Sequence, residues 1–150
     1  MRGAVRFSVF FCCAATLSAC SITTTEPKAA HVPAGQQYRI TQDASWSGSL
    51  KELASQTAAN VVLKYEGAKL LRADPFPGCT GEAGLQTFAV PGKGGAPQIL
   101  RAGFTQWNGP AVTVIYKRPR GSPDSREAVE AMTRSLCTSG APVMPLPPVK

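Results

Sequence analysis

Residues 99–117 read Ile99-Leu100-Arg101-Ala102-Gly103-Phe104-Thr105-Gln106-Trp107-Asn108-Gly109-Pro110-Ala111-Val112-Thr113-Val114-Ile115-Tyr116-Lys117, and they set the architecture. Asn108-Gly109 is a strong two-residue hairpin signal, because both turn positions need positive φ. Ile99 to Trp107 is therefore expected to run up as a strand and Ala111 to Lys117 to return antiparallel to it. The returning strand alternates Val112, Val114 and Tyr116 against Ala111, Thr113 and Ile115. Both faces are apolar, so this strand is expected inside a sheet and covered on both sides.

Upstream, Leu85 to Val90 reads as another strand, and Pro91 to Pro97 reads as the turn joining it to the hairpin. That turn holds Gly92-Lys93-Gly94-Gly95 but lacks the spacing of a phosphate-binding loop and its Ser/Thr after the lysine. Downstream, Ser122 is the expected N-cap of a helix, with Pro123 in its first position and Asp124 against its positive end. Val129, Met132 and Leu136 form an apolar stripe, and Arg126, Glu130 and Arg134 line the opposite face.

Nearer the start, Tyr38-Arg39-Ile40-Thr41 is a short strand candidate. Ser49-x-x-Glu52 matches a capping box, which predicts a short helix over 49–58. The β-branched run Val61-Val62-Leu63-Lys64-Tyr65 predicts a strand, with Ala68 to Ala73 as a candidate partner. Pro75, Pro77 and Gly78 then break the chain. The sum is an α+β domain: an antiparallel sheet with a short N-terminal helix and a C-terminal helix packed on it.

The first residues bear on address. A basic start, Met1 to Arg6, precedes an apolar run from Phe7 to Ala15 and then Leu17-Ser18-Ala19-Cys20. This is the order of a secretory signal. The apolar run is about nine residues, against the roughly 20 that span a bilayer. Leu17-Ser18-Ala19-Cys20 resembles the lipobox of bacterial lipoproteins. That resemblance implies cleavage before Cys20, a lipid anchor on Cys20 and, with Ser21 following, a periplasm-facing place at the outer membrane. The expected organisation is then a signal peptide over 1–19, a lipidated tether over 20–36, the α+β domain over 37–139 and a proline-rich tail over 140–150. Tether and tail are both expected to be extended and unpacked.

The five cysteines fit this organisation. Cys12 and Cys13 leave with the signal and Cys20 takes lipid, so Cys79 and Cys137 remain. In an oxidising compartment such a pair is most simply a disulfide. Two reactive thiols are the competing reading, but no C-x-x-C spacing or nearby histidine supports it.

Element order and the residues Tyr38-Arg39-Ile40, Trp46 and Phe104-Thr105-Gln106-Trp107-Asn108-Gly109-Pro110-Ala111 also resemble the PsbP-like and DcrB-like envelope proteins. The resemblance covers 36–138 and implies an α+β fold and a role that is mostly non-enzymatic.

Chemistry-bearing residues are sparse. The single histidine, His31, falls in the tether, so a His-dependent nucleophile or a zinc site has no centre in the domain. No metal site and no cofactor are expected. Glu66, Asp74 and Glu82 are the candidate carboxylates for glycan chemistry that needs no histidine. Without Arg2 and Arg6, 14 basic residues face 9 acidic ones, an excess of five. That excess is compatible with anionic lipid headgroups, lipopolysaccharide, acidic glycans or nucleic acid, and equally with solubility alone, which is the preferred reading. It would also steer the chain away from cationic targets such as lysozyme. Nucleic acid is not expected as a partner.

Two functions remain. The first is a non-catalytic accessory or assembly lipoprotein that binds another envelope component, with Trp107 at the hairpin tip and Arg118 and Arg120 at the basic strand end as candidate contacts. The second is a carboxylate-dependent cell-wall glycan hydrolase. The missing histidine favours the first.

Overall fold

A computed structural model describes residues 32–79, 82–106 and 110–150. The signal peptide, Cys20, most of the tether with His31, and Trp107-Asn108-Gly109 lie outside the described residues.

The elements run β1 (Gln37–Asp43), α1 (Leu50–Lys64), β2 (Lys69–Pro75), β3 (Ala83–Pro91), β4 (Pro97–Thr105), β5 (Ala111–Pro119) and α2 (Arg126–Leu136), with a single 3-10 turn at Lys93–Gly95. The strands form one sheet in the order β1-β5-β4-β3-β2, antiparallel throughout. The expected α+β class and antiparallel sheet are therefore present. Every β4–β5 pair, from Gln98↔Pro119 to Thr105↔Val112, is equidistant in sequence from the 108–109 bond. This is the register that a turn centred on Asn108-Gly109 demands.

The sheet is covered on both faces. On one side α1 lies over β3 and β4, and Val61 packs with Phe88, Val90, Leu100 and Ala102. On the other, α2 lies over β4 and β5, where Val129, Met132 and Leu136 meet Leu85, Val114 and Tyr116. Gly103 on β4 makes that approach possible: a Cβ there would run into the Leu136 side chain. Phe104, Val114 and Leu136 are all buried as the apolar periods predict. Phe104, however, serves the α1 face, with Leu53 and Ala111.

Three local expectations are corrected. The capping box is present, with Ser49 Oγ accepting from the Glu52 N–H at 3.3 Å and the Ser49 N–H donating to Glu52 Oε2 at 2.6 Å. The helix it starts does not stop at 58, and Val61-Val62-Leu63-Lys64 is its last turn rather than a strand. Val61 continues the buried stripe of Leu53 and Thr57 at i+4 spacing, and burial of that stripe outweighs the mild helix penalty of β-branched residues. β2 pairs with β3 instead.

The second helix is capped by Ser125, whose side chain accepts from the Ala128 N–H, and Ser122 and Pro123 precede it. Asp124 does not cap the helix; its carboxylate is taken by two arginines.

The third correction concerns the tail and the described end of the tether. The tail forms no helix or strand, yet it is packed: Leu146 joins the cluster beneath α2, and the Pro147 carbonyl accepts from Arg101 Nη2 at 2.8 Å. At the end of the tether Val32 packs on the same cluster, and Gln36 Oε1 accepts from the Tyr116 hydroxyl at 2.5 Å.

The disulfide joins Cys79, in the turn after β2, to Cys137, the C-cap of α2, across 58 residues. It ties the C-terminal end of α2 to the segment after β2, and both cysteines pack against the cluster beneath α2.

Candidate functional site

Because α1 sits over β3 and β4, the β5–β1 half of the same face is left open. The result is a groove of about 210 Å³ between the helix and these two strands. Its floor is Leu100, Ala111, Thr113 and Ile115, and its helical wall carries Gln56, Thr57, Asn60 and Val61. The amphipathic pattern of α1 explains the wall: Leu53, Thr57 and Val61 are buried, while Gln56 and Asn60 are exposed beside them.

Aromatic rings close both ends. Trp46, half-buried, donates from Nε1 to the Gly48 carbonyl at 3.0 Å, and Gln106 Nε2 donates to the same oxygen. At the other end stands Tyr65, with Lys117 Nζ 5.1 Å and Lys64 Nζ 5.7 Å from its ring centroid. One carboxylate lines the groove, Asp43. The Ser45 hydroxyl (2.6 Å) and backbone N–H (2.9 Å) donate to it and hold its pKa below the usual carboxylate range. It is thus a fixed anion and not a proton donor. A largely apolar floor rimmed by amides and hydroxyls, with Asp43 and Lys64 as its charged groups, can hold a side chain or a small ligand by contact and hydrogen bonding.

The sequence-predicted site residues fare differently. Trp107 and Cys20 lie outside the described residues. Arg120 is exposed at the end of β5. Arg118 is not part of a basic tip: it is buried, with Nε 2.5 Å from Asp124 Oδ1. Its position on β5 alternates inward, on the face that α2 and the tail cover, so its charge is spent inside the fold. The three candidate carboxylates do not gather in one cleft. Glu66 is exposed in the turn after α1, Asp74 is held by Arg72 Nε at 2.7 Å, and Glu82 lines a small pocket beside the disulfide that has no second carboxylate. Among the described residues, no group of three or more metal-ligating side chains occurs.

Sequence reading missed Arg101. It is 1% exposed in mid-sheet, with Nη1 donating to Thr87 Oγ1 at 2.8 Å and Nη2 to Asp124 Oδ2 at 2.9 Å. Asp124 therefore bridges Arg101 and Arg118. An arginine inside an otherwise apolar strand was the available signal, since a buried charge demands a partner. Beside this cluster the Tyr116 hydroxyl accepts from the Ser125 N–H at 2.8 Å and donates to Gln36 Oε1 at 2.5 Å. Burial pushes the Tyr116 pKa up, and the nearby Asp124 carboxylate adds to that rise.

No known protein family matches the chain, and no curated protein matches it either. Among solved structures, the chain is similar to a Pseudomonas aeruginosa protein of unknown function, a candidate regulator, at 17% identity and a TM-score of 0.47. The match covers 57% of this chain and 59% of that one, less than two thirds of its length.

Proposed function

We propose that this chain is a non-catalytic envelope lipoprotein. It is anchored through Cys20 at the outer membrane, faces the periplasm, and binds a segment of another envelope protein in the groove between α1 and the β5–β1 half of the sheet. The observation that carries this reading is the groove's lining: a largely apolar floor, a helical rim of Gln56, Thr57 and Asn60 ending in Lys64, and a lone ionised carboxylate, Asp43. Such a lining supplies contacts and hydrogen bonds for a partner side chain, and no pair of carboxylates for glycan hydrolysis. The strand β1 borders the groove and, among the described residues, pairs with β5 alone, which leaves its outer edge for an added strand.

Site-specific photocrosslinking in intact cells tests it. A crosslinking side chain at Asn60 should capture one discrete envelope protein, and the same group at Glu127, on α2, should not. Thr113→Trp, which fills the groove, should abolish capture while the melting temperature holds. Capture that persists in Thr113→Trp defeats the proposal. So does cleavage of peptidoglycan by the purified protein, which would favour the hydrolase reading.

A further inference from the structure

One row of the sheet runs Gln37–Lys117–Leu100–Phe88–Leu70 through successive strand pairs. The chain arriving from Cys20 enters the sheet at Gln37, and Leu70 lies on the far edge at the same end. The C-terminus of α1 is also here, since Lys117 Nζ reaches the Tyr65 ring. A tight turn links α1 to β2 at this place, with the Ala68 N–H donating to the Tyr65 carbonyl at 2.9 Å and Gly67 at φ 82°.

This end carries the large exposed apolar side chains of both elements: Val62 (52% exposed), Leu63 (84%), Leu70 (50%) and Leu71 (44%). A β-bulge between Leu70 and Arg72 takes Leu71 out of the ladder. Lys64 and Lys69 adjoin them, and Lys93, Arg120 and Lys150 are exposed at the same end of the sheet, with Glu66 and, at the start of α2, Glu127 as the exposed opposing charges. The acidic Asp43, Glu52 and Glu82 lie toward the other end, by the start of α1 and the β2–β3 turn.

We infer that the tether end of the domain rests on an anionic phospholipid bilayer. Leu63 and its apolar neighbours enter the headgroup boundary, and the surrounding lysines meet lipid phosphates. The occupant follows from charge complementarity and from the end of the sheet at which the chain from Cys20 enters it. The inference rests on the lipoprotein reading only for placing a membrane there, because a lipid anchor and a basic apolar patch act as two signals on one surface.

The test uses the mature chain from residue 20 with Cys20→Ser, so that no lipid contributes. It should float with vesicles of phosphatidylglycerol and phosphatidylcholine in equal parts, and not with phosphatidylcholine alone. Added salt should weaken the association. Lys64→Glu with Lys69→Glu should weaken it by at least about tenfold. Lys51→Glu with Arg134→Glu, the same charge change away from this end, should leave most of it. Equal flotation with both vesicles, or equal loss in both double variants, overturns the inference. Fatty-acid labelling of the wild-type chain in cells separates the two readings. Absence of label removes the lipoprotein reading, while preferential flotation of the Cys20→Ser chain upholds the surface.

Discussion

Asp124 is shared by Arg101 and Arg118, and its removal would leave two buried guanidinium groups without their anion. Breaking a buried ion pair from one side typically costs about 3–5 kcal/mol. Asp124→Asn should therefore lower the urea midpoint strongly. Arg101→Met should cost less, because the pair between Arg118 and Asp124 survives and the methionine suits the apolar surroundings. Equal losses would mean that the Asp124–Arg118 contact carries little.

Tyr116 gives a pH prediction at the same scale. Its pKa is raised by burial, so the folded state holds the phenol proton more tightly than the unfolded chain does. Its contribution to stability is complete below the usual tyrosine value of about 10 and is lost as pH rises through the higher folded value. Melting temperature should fall across that alkaline window, with phenolate absorbance rising in step. Tyr116→Phe should flatten the fall.

At the scale of elements, α2 holds the sheet through one face only. Leu136 is buried, while Arg126 is 91% exposed and paired with Glu130 at 2.8 Å. Leu136→Ala should cost about 2–5 kcal/mol. Val114→Asp, which buries an unpaired charge, should abolish accumulation of the protein, and Arg126→Ala should be near neutral. Immunoblots of the three variants check this, and equal abundance would refute the packing of α2. Gly103→Ala belongs with them. Its methyl would run into the buried ends of Leu136 and Met132, so those side chains must repack, and the variant should melt below wild type.

For the whole molecule, the crosslink and the tail act together. The Cys79–Cys137 bond closes a loop of 58 residues, for which chain entropy predicts roughly 4 kcal/mol. Reduction should lower the melting temperature, and denaturing alkylation of the protein isolated from cells should find neither cysteine free. Deletion of residues 142–150 removes Leu146 from its cluster and the Pro147 carbonyl from Arg101. That deletion should destabilise the fold, which a frayed end would not do. Anchoring is tested by labelling cells with a clickable fatty acid: wild type should carry label and Cys20→Ala should not.

Signals that act over a few residues were legible without the fold. Ser49 and Glu52 form the capping box their spacing describes, the β4–β5 register is centred where Asn108-Gly109 calls for it, and Val129, Met132 and Leu136 bury the face their period predicts. Cys79 and Cys137 pair as expected. The first three depend on hydrogen bonds, φ angles or side-chain periods within one segment or its immediate neighbour, and the cysteine pair on counting alone. The remainder depended on what lies across the sheet. Val61 to Lys64 is locally as good a strand as a helix turn, and only the apolar surface of Phe88 and Leu100 beneath it decides for the helix. Arg118 reads as a solvated tip until Asp124 is placed against it, and Leu146 reads as frayed until α2 offers it a floor. The groove exists only because α1 settles over β3 and β4 and leaves β5 and β1 bare. Such choices turn on contacts between residues far apart in the chain, whose burial energies no local pattern encodes.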